Sequence, residues 1–325
     1  MLALFFEYDG HEKAWPAVVV VFTGCKRCYT LGVTKALMIK FPPRASLGSL
    51  YTSDNSFPHM RLWVGEAQGE RELTVPDGRM LGIALRNLDA TTINDAVKDG
   101  LQHLQSVDLS TSYFSESTLK WLTYINDLKE LRLDFLKVRA AELSGLTQLA
   151  SLSTLWLTGA ELTDTELAAI APCPAIENLI LKSTRITDAG LVHMPHLKKL
   201  SRLHLPAQIT DQGIDHLTGC KSLRKLDISS TAITDKAIAM LEKIENLEEL
   251  YLNDTILGDQ ALSAIGQLKT LKVLFLCGTK LTDSGLTFLE QLEQLEHLEL
   301  RDTKVSEMGV QRVRSRLVNC AIFGP

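Results

Sequence analysis

Nine times between Leu104 and Leu300 the chain repeats one pattern, Leu-x-x-Leu-x-Leu, beginning at Leu104, Leu128, Leu152, Ile176, Leu200, Leu223, Leu247, Leu271 and Leu295. Successive starts lie 24 residues apart, except for one interval of 23, and every one of the three apolar positions holds Leu, Ile or Val. A fixed period of this length means that each unit is one small structural element. Such an element cannot bury its apolar face alone and does so by stacking on the next copy.

The period changes character inside each unit. In Leu250-Tyr251-Leu252 the leucines alternate with another residue, so they share one face of a strand while Tyr251 points the other way. Leu262, Ile265 and Leu268 then recur every third residue, the spacing of a stripe along a short helix. Between the two lies a helix-start signal, Thr163-Asp164, Thr187-Asp188, Thr210-Asp211, Thr234-Asp235 and Thr282-Asp283. It places a hydroxyl and a carboxylate where a helix leaves its first amides unpaired and where its dipole favours negative charge. Thr163 with Glu166 also has capping-box spacing. A strand that returns through a helical crossover gives a parallel sheet with the helices on one side. Because helices are bulkier than strands, the stack curves with its sheet on the concave side.

The units, clearest in Leu179-Ile-Leu181-Lys-Ser-Thr184-Arg-Ile186-Thr187-Asp188-Ala-Gly190-Leu191, resemble the leucine-rich repeat family. Among its branches they are most similar to ribonuclease-inhibitor-like and free-standing bacterial members. The resemblance covers residues 80–325 and implies an α/β solenoid, a horseshoe of parallel strands inside and short helices outside. It implies recognition of a protein partner, without identifying one.

Two units depart from the pattern. Arg139-Ala140 stands where others have Thr-Asp, which predicts the least well capped helix start. The unit from Leu200 is a residue short and carries Pro206, which predicts an irregular, shorter turn between Leu205 and Ile209.

The ends read as caps. Met80-x-x-Ile83-x-Leu85 lies one period before Leu104 and reads as a degenerate first repeat. Glu72–Val75 and Leu81–Leu85 flank Pro76-Asp77-Gly78, a turn signal that predicts a β-hairpin. Leu37–Phe41, Ser49–Tyr51 and Arg61–Val64 are further strand-like runs. The expected organisation is an N-terminal segment over 1–29, a β-rich cap over 30–79, repeats over 80–316 and a closing strand over 317–325. The final helix, Asn319-Cys320 and short apolar strand resemble the ends of free-standing bacterial members of the family.

The first segment supports two readings. Val18–Phe22 followed by Thr23-Gly24-Cys25 resembles the end of a bacterial lipoprotein signal, with Cys25 as the lipidated residue. Glu7, Asp9 and Glu12 against Lys13 oppose it, since an export signal starts positive. Alternatively Cys25-Lys26-Arg27-Cys28 resembles a thiol redox motif, although the repeats leave no room for the rest of such a fold. Cys173 and Cys220 fall at an apolar repeat position, two units apart and too distant to bridge, and Cys277 and Cys320 show no partner, so these four are expected as core thiols. Unpaired cysteines favour a reducing, cytoplasmic setting over the alternative of a lipid-anchored cell-envelope protein.

A net charge of -5 offers no basic excess for nucleic acid, and no apolar run is long enough to span a bilayer. No cofactor loop or metal-ligand cluster stands out, and a monomer is expected. Specificity is expected in the residue between the second and third leucines, which projects from the concave face: Asp108, Arg132, Trp156, Ile180, His204, Asp227, Tyr251, Phe275 and Glu299. Trp156 beside Ile180, and Tyr251 beside Phe275, give apolar patches separated by His204 and Asp227, the mixture of aromatic anchors and charge found in protein interfaces. Cross-strand aromatic pairing alone would also account for such a row. His204, Asp227 and Ser229 could suggest catalysis, but an open sheet floor supplies no oxyanion site and excludes no water, so a non-enzymatic interaction module is the expectation.

Overall fold

The computed structural model describes residues 35–40, 47–54, 61–68, 70–76, 79–85, 101–112 and 115–324. Cys25, Cys28 and the lipidation and redox readings attached to them lie outside these residues. Five strands precede the repeats: β1 (Lys35–Lys40), β2 (Gly48–Asp54), β3 (Arg61–Glu66), β4 (Glu70–Val75) and β5 (Arg79–Leu85). Ten follow: β6 (Ser106–Asp108), β7 (Glu130–Arg132), β8 (Thr154–Trp156), β9 (Asn178–Ile180), β10 (Arg202–His204), β11 (Lys225–Asp227), β12 (Glu249–Tyr251), β13 (Val273–Phe275), β14 (His297–Glu299) and β15 (Ala321–Phe323). From β5 to β15 each strand pairs parallel with the next, and β2 then β3 extend the sheet antiparallel beyond β5 to a total of 13 strands. The chain is an α/β leucine-rich repeat solenoid.

The register explains why the pattern is so strict. Val107, Leu131, Leu155, Leu179, Leu203, Leu226, Leu250, Leu274 and Leu298 pair in one file across the sheet, and every one is 0% exposed. A one-residue slip in any strand would turn its leucines toward solvent. Burial of each stabilises by roughly 1.5 to 3 kcal/mol. The file belongs to one continuous core running from Leu47 to Ile322.

Short helices return the chain: α1 (Glu116–Leu122), α2 (Ala140–Ser144), α3 (Asp164–Ile170), α4 (Asp211–Leu217), α5 (Asp235–Leu241), α6 (Asp259–Ile265) and α7 (Glu307–Arg316). Elsewhere 3-10 turns serve, as over Asp188–His196, where Pro195 has no amide to donate.

The Thr-Asp pairs do more than start helices. The Asp164 carboxylate accepts from the backbone N–H and hydroxyl of Thr187 in the following unit, with the N–H at 2.8 Å. Asp188 takes Thr210, Asp211 takes Thr234, Asp259 takes Thr282 and Asp283 takes Ser306 in the same way. These bonds form a ladder between helix starts that stitches each repeat to its neighbour. Buried Thr184, Thr231, Thr255 and Thr279 satisfy their hydroxyls locally, each donating to the carbonyl three residues back.

The expected irregularities are present. At α2, Arg139 contributes no side-chain cap, although Glu142 accepts from the Arg139 N–H at 2.9 Å, and the helix has 5 residues where its neighbour α3 has 7. In most units the second residue after the strand's last apolar position adopts a left-handed conformation, at Phe135, Gly159, Ser183, Ser230, Asp254, Gly278 and Asp302. The shortened unit at Pro206 has no such residue. There Gln208 takes the Thr position and donates backward to the carbonyls of Thr184 and Ile186, at 2.7 and 2.6 Å.

Two expectations are corrected. The segments flanking Pro76 are both strands but not a hairpin, because β4 pairs with β1 in a separate two-stranded sheet while β5 pairs with β2 and β6. The turn reverses the chain between sheets rather than within one. Cys173, Cys220 and Cys320 are buried free thiols, with burial pushing their pKa values up to about 11, about 12 and about 11, but Cys277 is only half-buried and lies outside the core.

The ladder predicts a point of reinforcement. Gly258 stands where a Thr would meet Asp235, its backbone is extended (φ -126, ψ -163), and a Cβ there would have nothing within 4 Å. Gly258→Thr should raise stability by roughly 0.5 to 1 kcal/mol, read as a later urea midpoint. Asp235→Ala should cancel most of that gain in the double variant, and strictly additive effects would remove the ladder as an energetic link.

Candidate functional site

The sheet's open face, opposite the helices, carries two files of side chains, because residues on both sides of each buried leucine point the same way. The file anticipated from sequence runs in register from Asp108 through Arg132, Trp156, Ile180, His204, Asp227, Tyr251 and Phe275 to Glu299, and reaches Phe323. The second, which sequence reasoning missed, holds Ser106, Glu130, Thr154, Asn178, Arg202, Lys225, Glu249, Val273 and His297. The alternation that defined the first file also defines the second, so the signal was present.

At the end nearest β5 the floor is built of stacked cations and aromatics. Tyr51 of β2 is fully buried and lies across Gly82, where an added Cβ would come within 2.4 Å of its ring. Its hydroxyl is 2.6 Å from Ser106 Oγ. Burial outweighs the attraction of nearby Arg61 and pushes the phenol pKa up. The Arg61 guanidinium sits 4.1 Å over the Tyr51 ring and is ion-paired to Asp108. Trp63 of β3 packs edge-on against Tyr51 at 5.6 Å and remains 59% exposed. Next along, Arg132 donates to Glu130 at 2.7 Å and lies 4.0 Å over the Trp156 ring. Glu130 Oε2 and Trp156 Nε1 are buried without a hydrogen-bond partner among the described residues.

In the middle Ile180 is buried, against the expectation of an exposed apolar patch with Trp156. Asp227 is buried too, and its Oδ2 receives Lys182 at 2.5 Å and His204 at 3.2 Å while the Ser229 N–H donates to Oδ1. Burial opposes ionisation, but the hydrogen bonds from His204 and Lys182 outweigh it and hold the carboxyl well below the ordinary carboxylate range. Ser229 meets Asp227 through its backbone, and no hydrogen bond joins its hydroxyl to His204 among the described residues.

Toward β15 the floor becomes a ladder of rings. Lys225, bonded to Glu249 at 2.7 Å, lies 4.6 Å from the Tyr251 ring centre. Tyr251 stacks on Phe275 at 4.7 Å, Phe275 on His297 at 5.1 Å, and His297 against Phe323 at 5.0 Å. Tyr251 and Phe275 are partners in register at the separation of adjacent strands, whereas His297 bridges diagonally from Phe275 to Phe323 between the two files. Glu299 is buried and gripped by Arg301. Among the described residues no group of His, Cys, Asp or Glu could hold a metal ion, and no helix is long and apolar enough to cross a membrane.

The Asp227 cluster predicts a pH signature. Asp227→Asn should destabilise by about 1.5 to 3 kcal/mol at pH 7, because charged hydrogen bonds are lost from a buried site. A carboxyl whose pKa is depressed on folding contributes stability above its unfolded value of about 4, and loses it as pH falls. The gap between wild type and variant should therefore begin to narrow near about pH 4 and keep narrowing as pH falls toward the much lower folded pKa; a gap independent of pH would show that the charge on Asp227 contributes nothing.

No family model and no curated protein matches the chain. Among solved structures it is similar to an internalin (inlF) from Listeria monocytogenes, with 17% identity and a TM-score of 0.46, over 74% of this chain and 85% of that one. It is similar also to internalin C2 (inlC2) from Listeria monocytogenes, with 22% identity and a TM-score of 0.46, over 73% and 89% of the two chains. The solenoid itself is established by the register of this chain's own strands.

Proposed function

We propose that the protein is a non-enzymatic interaction module that binds a protein partner through the open, concave face of its sheet. The observation that carries the reading is the ring system of that face. Tyr251, Phe275, His297 and Phe323 form a pre-stacked aromatic strip, and Trp156 and Trp63 lie toward the opposite end. Such side chains are held rigid before binding, so a partner that covers them gains buried area at little further entropic cost. The resemblance of the repeats, with 7-residue α-helices in several units, supports a ribonuclease-inhibitor-like relative, which we take to work as a monomer.

The test is affinity capture from the native cell followed by direct binding measurements with the partner recovered. Trp156→Asp and Tyr251→Asp should each weaken binding at least tenfold. Val192→Asp, on the helix side at a residue 48% exposed, should leave it unchanged. A partner that binds both floor variants normally and is lost with the Val192 variant would move the interface to the outer face.

A further inference from the structure

The acids and bases of the open face are not at the same depth. Glu130, Asp227 and Glu299 have side chains 1%, 8% and 5% exposed, whereas Lys129 and Lys182 reach 40% and 42%. Arg202, in the middle of the floor, is exposed, and its guanidinium makes no hydrogen bond or ion pair among the described residues, its electrostatic neighbour being Glu249. Glu249 is itself engaged by Lys225 and by the Tyr251 hydroxyl. Glu177 and Glu296, on the strand-entry rim, are exposed exceptions. On a chain with a net charge of -5, Arg202 is thus the one charged residue of the two files that is exposed, among the described residues. Beside Arg202 lies an open, polar depression of about 310 Å³, lined by Lys129, Thr154, Asn178 and Ser201 and, on its rim, by Glu177.

We propose that the partner is an acidic peptide segment, in which a carboxylate pairs with Arg202 while a large apolar side chain rests on the edges of Tyr251 and Phe275. This rests on the concave-face reading above and names the chemistry of its ligand. Two features fix the pairing. The rings are stacked face to face, so they offer edges rather than faces, and those edges suit an apolar side chain better than a sugar or base plane. Arg202 stands on β10, two strands from Tyr251 and three from Phe275, and in the other file. Strand spacing and residue rise put the two points on the order of 12 to 16 Å apart. An extended segment spans that with its acidic and apolar residues three to five positions apart.

A displayed library of random 12-residue peptides, selected on the full chain, tests the idea. Enriched peptides should carry Asp or Glu three to five residues from Phe, Trp, Leu or Met. As synthetic peptides they should lose at least tenfold in affinity with Arg202→Glu and with Phe275→Ala, lose less with Arg202→Lys, and weaken as salt rises. Circular dichroism melts keep the variants comparable. Peptides lost with Phe275→Ala but indifferent to Arg202→Glu, or without an acidic consensus, would overturn the acidic ligand and leave the concave-face reading standing. Peptides indifferent to both variants would overturn both, and no enrichment at all would overturn the acidic ligand.

Discussion

One buried leucine per strand, in register with the next, is the interaction on which everything else depends. Leu155, Leu179 and Leu203 sit at 0% exposure because each is roofed by the unit before and after it, and none could be buried by its own unit. Stability in such a stack is close to a sum of nearest-neighbour terms, so the ends need covering and interior faults stay local. The fault at Pro206 shows this. A residue is missing and the left-handed turn position is lost, yet Leu203 still pairs with Leu179 and Leu226, because Gln208 repairs the backbone bonding beneath it.

Apolar burial is non-directional, and leucines alone would tolerate sliding between units. The carboxylate ladder from Asp164 to Ser306 supplies direction, since each carboxylate takes both the N–H and the hydroxyl of one residue in the following unit. The same groups serve the helix dipole of their own unit, so one side chain acts at two levels of structure. Phe135 marks the opposite tendency. It holds a left-handed backbone conformation (φ 61) that bulky residues avoid and leaves its ring 74% exposed, where other units use Gly, Ser or Asp. Its ring lies over Gly159 of the following unit, where an added Cβ would come within 2.5 Å of it, so the strained residue still contacts its neighbour.

What could be read from the sequence follows from the range of each interaction. The strand and helix of every unit, the weak start at Arg139 and the short turn at Pro206 were legible because period and capping are local. The first file of the open face was legible for the same reason. Three features were not. The separation of β4 from β5 depends on β1 and β2, which lie far away in the chain. Tyr51 reaches the floor only because Gly82 leaves room for it. The ladder acceptor lies a whole repeat away from its donor, so within one unit the Thr-Asp pair reads only as a helix cap.

The sheet that makes the solenoid also decides what its open face can recognise. Parallel strands carry equivalent residues at the stacking distance of aromatic rings, as Tyr251 and Phe275 show, and Phe275 reaches His297 diagonally across the files, so neighbouring rings close on one another and hide their faces. Charges in the two files likewise find partners one strand or two residues away, as Lys225 does with Glu249 and Arg132 with Glu130. A repeat floor therefore tends to satisfy itself, and its recognition chemistry lies in what the periodicity fails to pair. Among the described residues that remainder includes the Arg202 guanidinium, the ring edges from Tyr251 to Phe323, Arg61 Nε and Nη2, and the unpartnered Trp156 Nε1 and Glu130 Oε2 beneath Arg132. The last two carry a desolvation cost that the free protein leaves uncompensated, and only a rearrangement of Arg132 would open them to a ligand.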